Sequence, residues 1–67
     1  MKKFKVTIVK DTDVVDLINI NDETDTIPGA PDEFVDGEIV TEDEIVLKKN
    51  NYVDEQGVGT MDFAFKK

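Results

Sequence analysis

Five residue types are missing from this 67-residue chain: cysteine, histidine, arginine, serine and tryptophan. Without cysteine there is no disulfide framework and no thiolate metal site, a composition that fits a reducing cytosol. Without serine, cysteine or histidine the usual nucleophile and base pairings cannot be assembled, and Tyr52 or a lone lysine has no partner geometry to act with. Paired carboxylates remain for acid–base work, but they need a cleft between them, and a core this small leaves little room for one. The chain is therefore not expected to be an enzyme, and no cofactor is expected. Long apolar runs are missing too. None approaches the ~18 residues of a membrane span. Lys5, Lys10 and Asp11 interrupt the apolar segment that a signal peptide opening on Met1-Lys2-Lys3 would need, so the expected location is the cytoplasm.

Basic residues are absent from one long stretch. From Asp11 to Leu47 the chain runs 37 residues without a lysine while placing thirteen carboxylates: Asp11, Asp13, Asp16, Asp22, Glu23, Asp25, Asp32, Glu33, Asp36, Glu38, Glu42, Asp43 and Glu44. The eight lysines flank this block, at 2, 3, 5 and 10 before it and at 48, 49, 66 and 67 after it. The net charge of −8 thus understates the middle, which carries −13 against +5 for the flanks together.

Charge of this kind raises the question of disorder. Leu, Ile, Val and Phe number 21 of 67 residues, well above the roughly 20% that marks a disordered chain. A single folded domain over 1–67 is expected, near the lower size limit for one hydrophobic core. Nine valines, six isoleucines and six threonines against two leucines and two alanines make a strand-forming vocabulary, because β-branched side chains lose rotamer freedom in helices and pack well on a pleated surface.

The clearest strand is 3–10, where Phe4, Val6 and Ile8 alternate with Lys3, Lys5 and Thr7. Asp11-Thr12-Asp13 supplies a turn, and Val14 to Ile20 pairs back as a second strand, although Val14, Leu17 and Ile18 also stand at helical spacing behind Asp13 as a cap. Asn21 to Pro31 holds both prolines and reads as a loop, part of an acidic Pro/Gly-containing segment at about 21–37. Pro31-Asp32-Glu33-Phe34 fits one helical turn. Asp36-Gly37 turns into a strand at 38–41. Thr41-Glu42-Asp43-Glu44 fits a capping box, yet the near-repeat of Glu38-Ile39-Val40 in Glu44-Ile45-Val46 predicts a hairpin turning through 41–43, so 41–49 is open between helix and strand. Asp54-Glu55-Gln56-Gly57 is the preferred site of the last reversal. In the final strand, Thr60 to Lys66, Met61, Phe63 and Phe65 are predicted to face inward, with Asp62, Ala64 and Lys66 outward. The fold class is β-rich, all-β or α+β, with four to five mostly antiparallel strands and room for one short helix.

Among chemistry-bearing patterns, Asp11-x-Asp13-x-x-Asp16 and Asn21-x-Glu23-x-Asp25 look superficially like oxygen-ligand loops. Neither has the glycine at the sixth position or the glutamate at the twelfth that a helix-loop-helix calcium site uses, and turn residues with solvated charge explain both, so no metal site is expected. Gly57-Val58-Gly59 lacks the third glycine of a phosphate cradle and any following helix. Direct nucleic-acid binding is opposed by charge, since an arginine-free chain at −8 is repelled by phosphates.

The chain can instead bind what binds DNA. Duplex DNA carries one charge per ~1.7 Å of axis, so thirteen carboxylates match about 22 Å of duplex, comparable with the ~28 Å diameter expected of a domain this size. Alternate residues on a strand point the same way about 6.6 Å apart, so Asp36 with Glu38 and Glu42 with Glu44 are predicted to form rows, and Asp22, Glu23 and Asp25 a flexible third cluster. Solubility alone would leave a surface of mixed signs. The candidate partner-binding set is Asp22, Glu23, Asp25, Asp32, Glu33, Asp36, Glu38, Glu42, Asp43 and Glu44.

With its length, its base-free block from Asp11 to Leu47, its missing cysteine and its Asn/Asp/Ile/Lys-rich, arginine-free composition, the chain resembles the small acidic DNA-mimic proteins that lytic phages and mobile elements use against host DNA-binding proteins. The resemblance is compositional and spans the whole chain without a shared motif. It implies inhibition in the host bacterial cytoplasm by occupation of a basic DNA-binding groove, as on a restriction enzyme, a CRISPR effector, a polymerase subunit or, the favoured target, a histone-like nucleoid-associated protein. The alternative is a structural or interaction module, such as a virion accessory domain or a β domain that forms a homodimer by pairing a terminal strand with another chain.

Overall fold

Strict alternation of apolar and polar side chains makes Lys3–Ile8 the first strand, β1, in a computed structural model that describes residues 1–67, the side chain of residue 54 excepted. Phe4 and Val6 are buried and Lys3, Lys5 and Thr7 exposed, as the period of two requires. The chain reverses through residues 9–14, where the Thr12 hydroxyl donates to the Val9 carbonyl and accepts from the Val14 N–H, at 2.8 and 3.1 Å. Asp11 there takes a positive φ of 63°, which aspartate tolerates better than most residues. Val15–Asn19 then forms β2, antiparallel to β1 with Leu17 opposite Val6. Val15, Leu17 and Asn19 all point inward, so strand periodicity prevails over the helical spacing of Val14, Leu17 and Ile18.

The segment read as loop from Asn21 to Pro31 contains a strand, β3 (Thr26–Gly29), antiparallel to β2. Pro28 is compatible with it because of parity. The Asn19 N–H donates to the Asp25 carbonyl at 3.1 Å, so hydrogen-bonded pairs fall at 19 with 25, 17 with 27 and 15 with 29. Pro28 lies between bonded positions, and its missing N–H costs no bond to β2.

Residues 31–34 make a non-helical turn, contrary to the one predicted, since Asp32 adopts a left-handed φ of 68° that ends any helical run. Phe34 drops from this turn into the core. Asp36-Gly37 turns as expected, with Gly37 at φ 87°, and leads into β4 (Ile39–Thr41), which pairs with the free side of β1. The predicted hairpin through 41–43 is absent among the described residues. Instead Glu42–Glu44 forms a single 3₁₀ turn opened by the Thr41/Glu44 capping interaction, and β5 (Ile45–Asp54) leaves to pair with β6 (Gly57–Lys66) across the expected turn. The near-repeat therefore marks two strands with different partners.

Among the described residues the strands number six, in one mixed sheet of order β4-β1-β2-β3-β6-β5. Every pairing is antiparallel except β3 with β6, which run parallel and meet at Gly29 and Ala64. Inner-face side chains of β1, β2, β4, β5 and β6 converge with Phe34 on one core of Phe4, Val6, Val15, Leu17, Phe34, Val40, Ile45 and Ala64. The sheet curls enough for its C-terminal end to reach back to the β4 side, where Lys66 binds Glu38 at 3.0 Å and the Lys67 N–H donates to the Glu44 carbonyl at 3.1 Å.

In β6 the predicted faces are exchanged. Ala64 is 0% exposed and belongs to the core, whereas Phe63 and Phe65 are half-buried on the other face and Met61 is exposed. The small side chain faces in because β3 and β6 approach closely there, and the Ala30 N–H donates to the Ala64 carbonyl at 2.9 Å.

Gly29 is the tightest point of this packing. A Cβ on it would lie 2.6 Å from Leu17 Cδ1, 2.9 Å from Val15 Cγ1 and 3.2 Å from Phe34 Cδ2. Gly29→Ala is expected to cost about 1–3 kcal/mol through overpacking, and Leu17→Ala about 2–5 kcal/mol through a cavity. Urea unfolding followed by circular dichroism checks both, and an unchanged midpoint for Gly29→Ala would contradict the packing described.

Candidate partner-binding surface

The candidate carboxylates stand on turns and on the 3₁₀ segment, outside the strands. This corrects the predicted strand rows, because Asp36 and Glu38 flank the turn before β4 and Glu42 and Glu44 sit on a 3₁₀ turn, where alternate residues do not share a face.

Three groups result. In the first, the Lys2 ammonium bonds Asp25 at 2.9 Å, and Glu42 and then Asp22 favour its charged form more weakly from farther away. The Glu42 N–H also donates to the Lys2 carbonyl at 3.0 Å, so the N-terminal segment joins the 3₁₀ turn to the β2–β3 turn. That turn is built from hydrogen bonds, unlike the flexible cluster predicted. Asp22 Oδ1 accepts from the Thr24 N–H at 3.1 Å and its hydroxyl at 2.6 Å, and the Asp25 N–H donates to the Asp22 carbonyl at 2.9 Å. Asn19, the only buried polar residue among those described, donates to Asp25 Oδ2 at 3.1 Å and accepts from the Asn21 N–H at 2.9 Å. Hydrogen bonds from Lys2 and then Asn19 hold the Asp25 carboxyl below the usual aspartate value, and the bond to Asp25 raises the Lys2 amine. Glu23 is exposed on the same turn.

The second group centres on Lys66. Glu38 pairs with it and also accepts from the Val35 N–H at 2.8 Å, and the latter bond is the larger cause of its lowered carboxyl pKa. Glu44 lies on the same flank, where its carboxylate accepts from the Thr41 N–H at 2.9 Å and the Thr41 hydroxyl at 2.8 Å, and these bonds lower its pKa in that order. Asp43 contacts the same hydroxyl. Lys66 also lies 5.5 Å from the Phe34 ring centroid.

The third group gathers at the opposite end of β1. Asp13 and Asp32 line a shallow depression over Phe34, Asp36 Oδ1 accepts from the Ile8 N–H at 3.0 Å, and Glu33 is exposed nearby in sequence.

The base-free block of the sequence is therefore not a base-free surface. β1 lies second in the sheet, between β4 and β2, so its exposed Lys3 and Lys5 stand between the acidic groups. Local patterns could not have revealed this, because strand order is set by pairing between distant segments. Even so, among the described residues only Asp25 and Glu38 of the thirteen block carboxylates have an ammonium within ion-pair distance. No three carboxylates among the described residues come together as a metal site, and no helix among them is long and apolar enough to cross a membrane. A depression on the outer face of β1 and β2, lined by Lys5, Thr7, Ile18, Asn19, Ile20 and Glu23, offers one carboxylate and no pair for acid–base chemistry.

Compared with known proteins, the chain shows no significant match to any family model, curated protein or solved structure.

The lowered pKa values make a testable statement about acid. Carboxyls held below their ordinary values stabilise the fold above the unfolded range near pH ~4, and that stabilisation is lost as pH falls through the lowered values. NMR titration of Lys66→Met is expected to show the Glu38 pKa rising but staying below that of a free glutamate, since the Val35 N–H remains. A fully normal value would assign the whole shift to Lys66 and contradict the hydrogen-bond geometry.

Proposed function

We propose that the protein is a non-enzymatic acidic binding module that occupies the basic DNA-binding surface of another protein and competes with DNA for it. The observation that carries this reading is the number of unpaired carboxylates. All but Asp25 and Glu38 of the thirteen in the block lack an ion-pair partner among the described residues. Self-repulsion of this kind opposes folding, and a basic partner relieves it. Part of the charge is also held in place, with Asp22, Asp36, Asp43 and Glu44 oriented by hydrogen bonds. A preformed surface loses less conformational entropy on binding than a disordered acidic tail would. A histone-like nucleoid-associated protein is the favoured partner class, on the compositional resemblance to DNA mimics.

Long-range attraction would supply much of the association rate. Binding to a purified histone-like protein, measured by calorimetry or by displacement of labelled DNA, is expected to weaken steeply with added salt. Charge reversal at Asp22, Glu23, Asp32, Glu33, Asp36, Glu42 or Asp43 is expected to weaken it by about twofold to fivefold each, as distributed exposed charges do. Affinity indifferent to salt, or to lysine at all of these positions, would remove this reading.

A further inference from the structure

The β5–β6 hairpin is paired over all ten residues of each strand, from Ile45 opposite Lys66 to Asp54 opposite Gly57. Beyond Ala64 it leaves the body of the sheet. Among the described residues β6 pairs with β3 at Gly29 and Ala64 alone, and β5 ends the sheet order with no strand on its far side. Which backbone groups face that open side follows from parity. The Ala64 carbonyl accepts from Ala30, so Ala64 points its polar groups away from β5, and in an antiparallel ladder its opposite residue Leu47 points away from β6. Ile45, Lys49, Asn51 and Val53 share that direction. Asn51 agrees independently, because its N–H donates to the side-chain oxygen of Asn50 at 2.9 Å.

We propose that this edge is a dimerisation surface, occupied by β5 of a second copy running antiparallel, with the two-fold axis at Asn50, so that one sheet continues through both molecules. Three observations select this occupant and register. First, β5 as far as Val53 carries no carboxylate and holds Lys48 and Lys49, so the middle of this edge presents no acidic side chain of its own to a second chain of net charge −8, and the antiparallel arrangement sets the two acidic bodies at opposite ends. Second, the edge is complementary to itself. Outward-bonding residues must face outward-bonding residues, which leaves few registers. One centred on Lys49 opposes two ammonium groups, and one centred on Asn51 leaves Leu47 against the Glu55 turn. The register centred on Asn50 sets Leu47 against the second copy's Val53, Lys49 against its Asn51 and Lys48 against its Tyr52. Third, the residues covered are those left bare. Leu47 is 52%, Val53 78% and Val58 76% exposed. Val53 and Val58 are cross-strand neighbours, and the second copy's Leu47 completes an apolar cluster with them on each side of the axis. Lys48 does not guard the edge, since its ammonium lies 5.6 Å from the Phe65 ring centroid on the opposite face.

This inference does not rest on the proposed function and responds oppositely to salt. Light scattering on the full chain is expected to give twice the 7.5 kDa chain mass at high protein concentration, with the dimer strengthened by salt as repulsion between the acidic bodies is screened. Asn51→Pro removes an N–H that makes no bond to β6, so it is expected to abolish the dimer while leaving the circular dichroism of the monomer intact. Asn50→Cys places two thiols on the axis at a non-hydrogen-bonded pair, where Cα atoms lie about 4.5 Å apart, within disulfide range. It is expected to cross-link on mild oxidation, whereas Asn51→Cys is not. A single-chain mass at every concentration and salt, a folded Asn51→Pro variant that still dimerises, or cross-linking at 51 in preference to 50 would each overturn the proposal.

Discussion

The close approach of β3 and β6 at Gly29 and Ala64 is the constraint on which the rest of the structure depends. β4, β1, β2 and β3 form one antiparallel unit and β5 with β6 another, and this parallel contact joins them into a single sheet. Two of the smallest side chains meet there, with Leu17, Val15 and Phe34 packed against the glycine. The contact decides which face of β6 enters the core and brings Ile45 in beside Ala64. It also leaves the distal half of the hairpin outside the body. A larger residue at either position would force the two units apart, and each alone has too little apolar surface to stand as a core.

What could be read from the sequence was whatever is decided locally. Alternation at 3–8 marks the strand through its side chains, and the turns at 11–13, 36–37 and 54–57 are legible because their residue types suit the tight reversals found there. What is not legible locally depends on pairing between distant segments. β3 was hidden by Pro28, whose cost depends on which side of the strand lacks a partner. The inward face of β6 does not show in its own pattern, because three large apolar residues alternate with Ala64, and only a neighbouring glycine from 35 residues earlier makes the alanine the core residue. The repeat at 38–40 and 44–46 resembled a hairpin, but each half finds a longer-range partner. Composition placed the chain among β-rich domains; it could not supply the order of strands.

The same distinction governs the candidate surface. Thirteen acids in a base-free run imply one continuous acidic flank if sequence neighbours remain spatial neighbours. The sheet instead distributes eleven of them among three groups, leaves Asp11 and Asp16 apart, and inserts the lysines of β1 between the groups. What survives is the excess of carboxylates over ammonium partners and the hydrogen bonds that orient several of them. Charge was legible as a quantity, while its layout depended on topology.

Asn19 illustrates how a polar group in the core restricts the alternatives open to a chain. Its neighbours along β2 are Ile18 and Ile20, so at this end of the strand a shift of one position would still offer the interior an apolar side chain, although it would also carry Asp16 inward in place of Leu17. The amide adds to this discrimination, since turned outward it would lose its bond to Asp25 across the β2–β3 turn, and losing a buried pairing costs more than making it gains. It works as a key cut for one lock, reinforcing at the end of the strand the exclusion of a misthreaded β2–β3 unit.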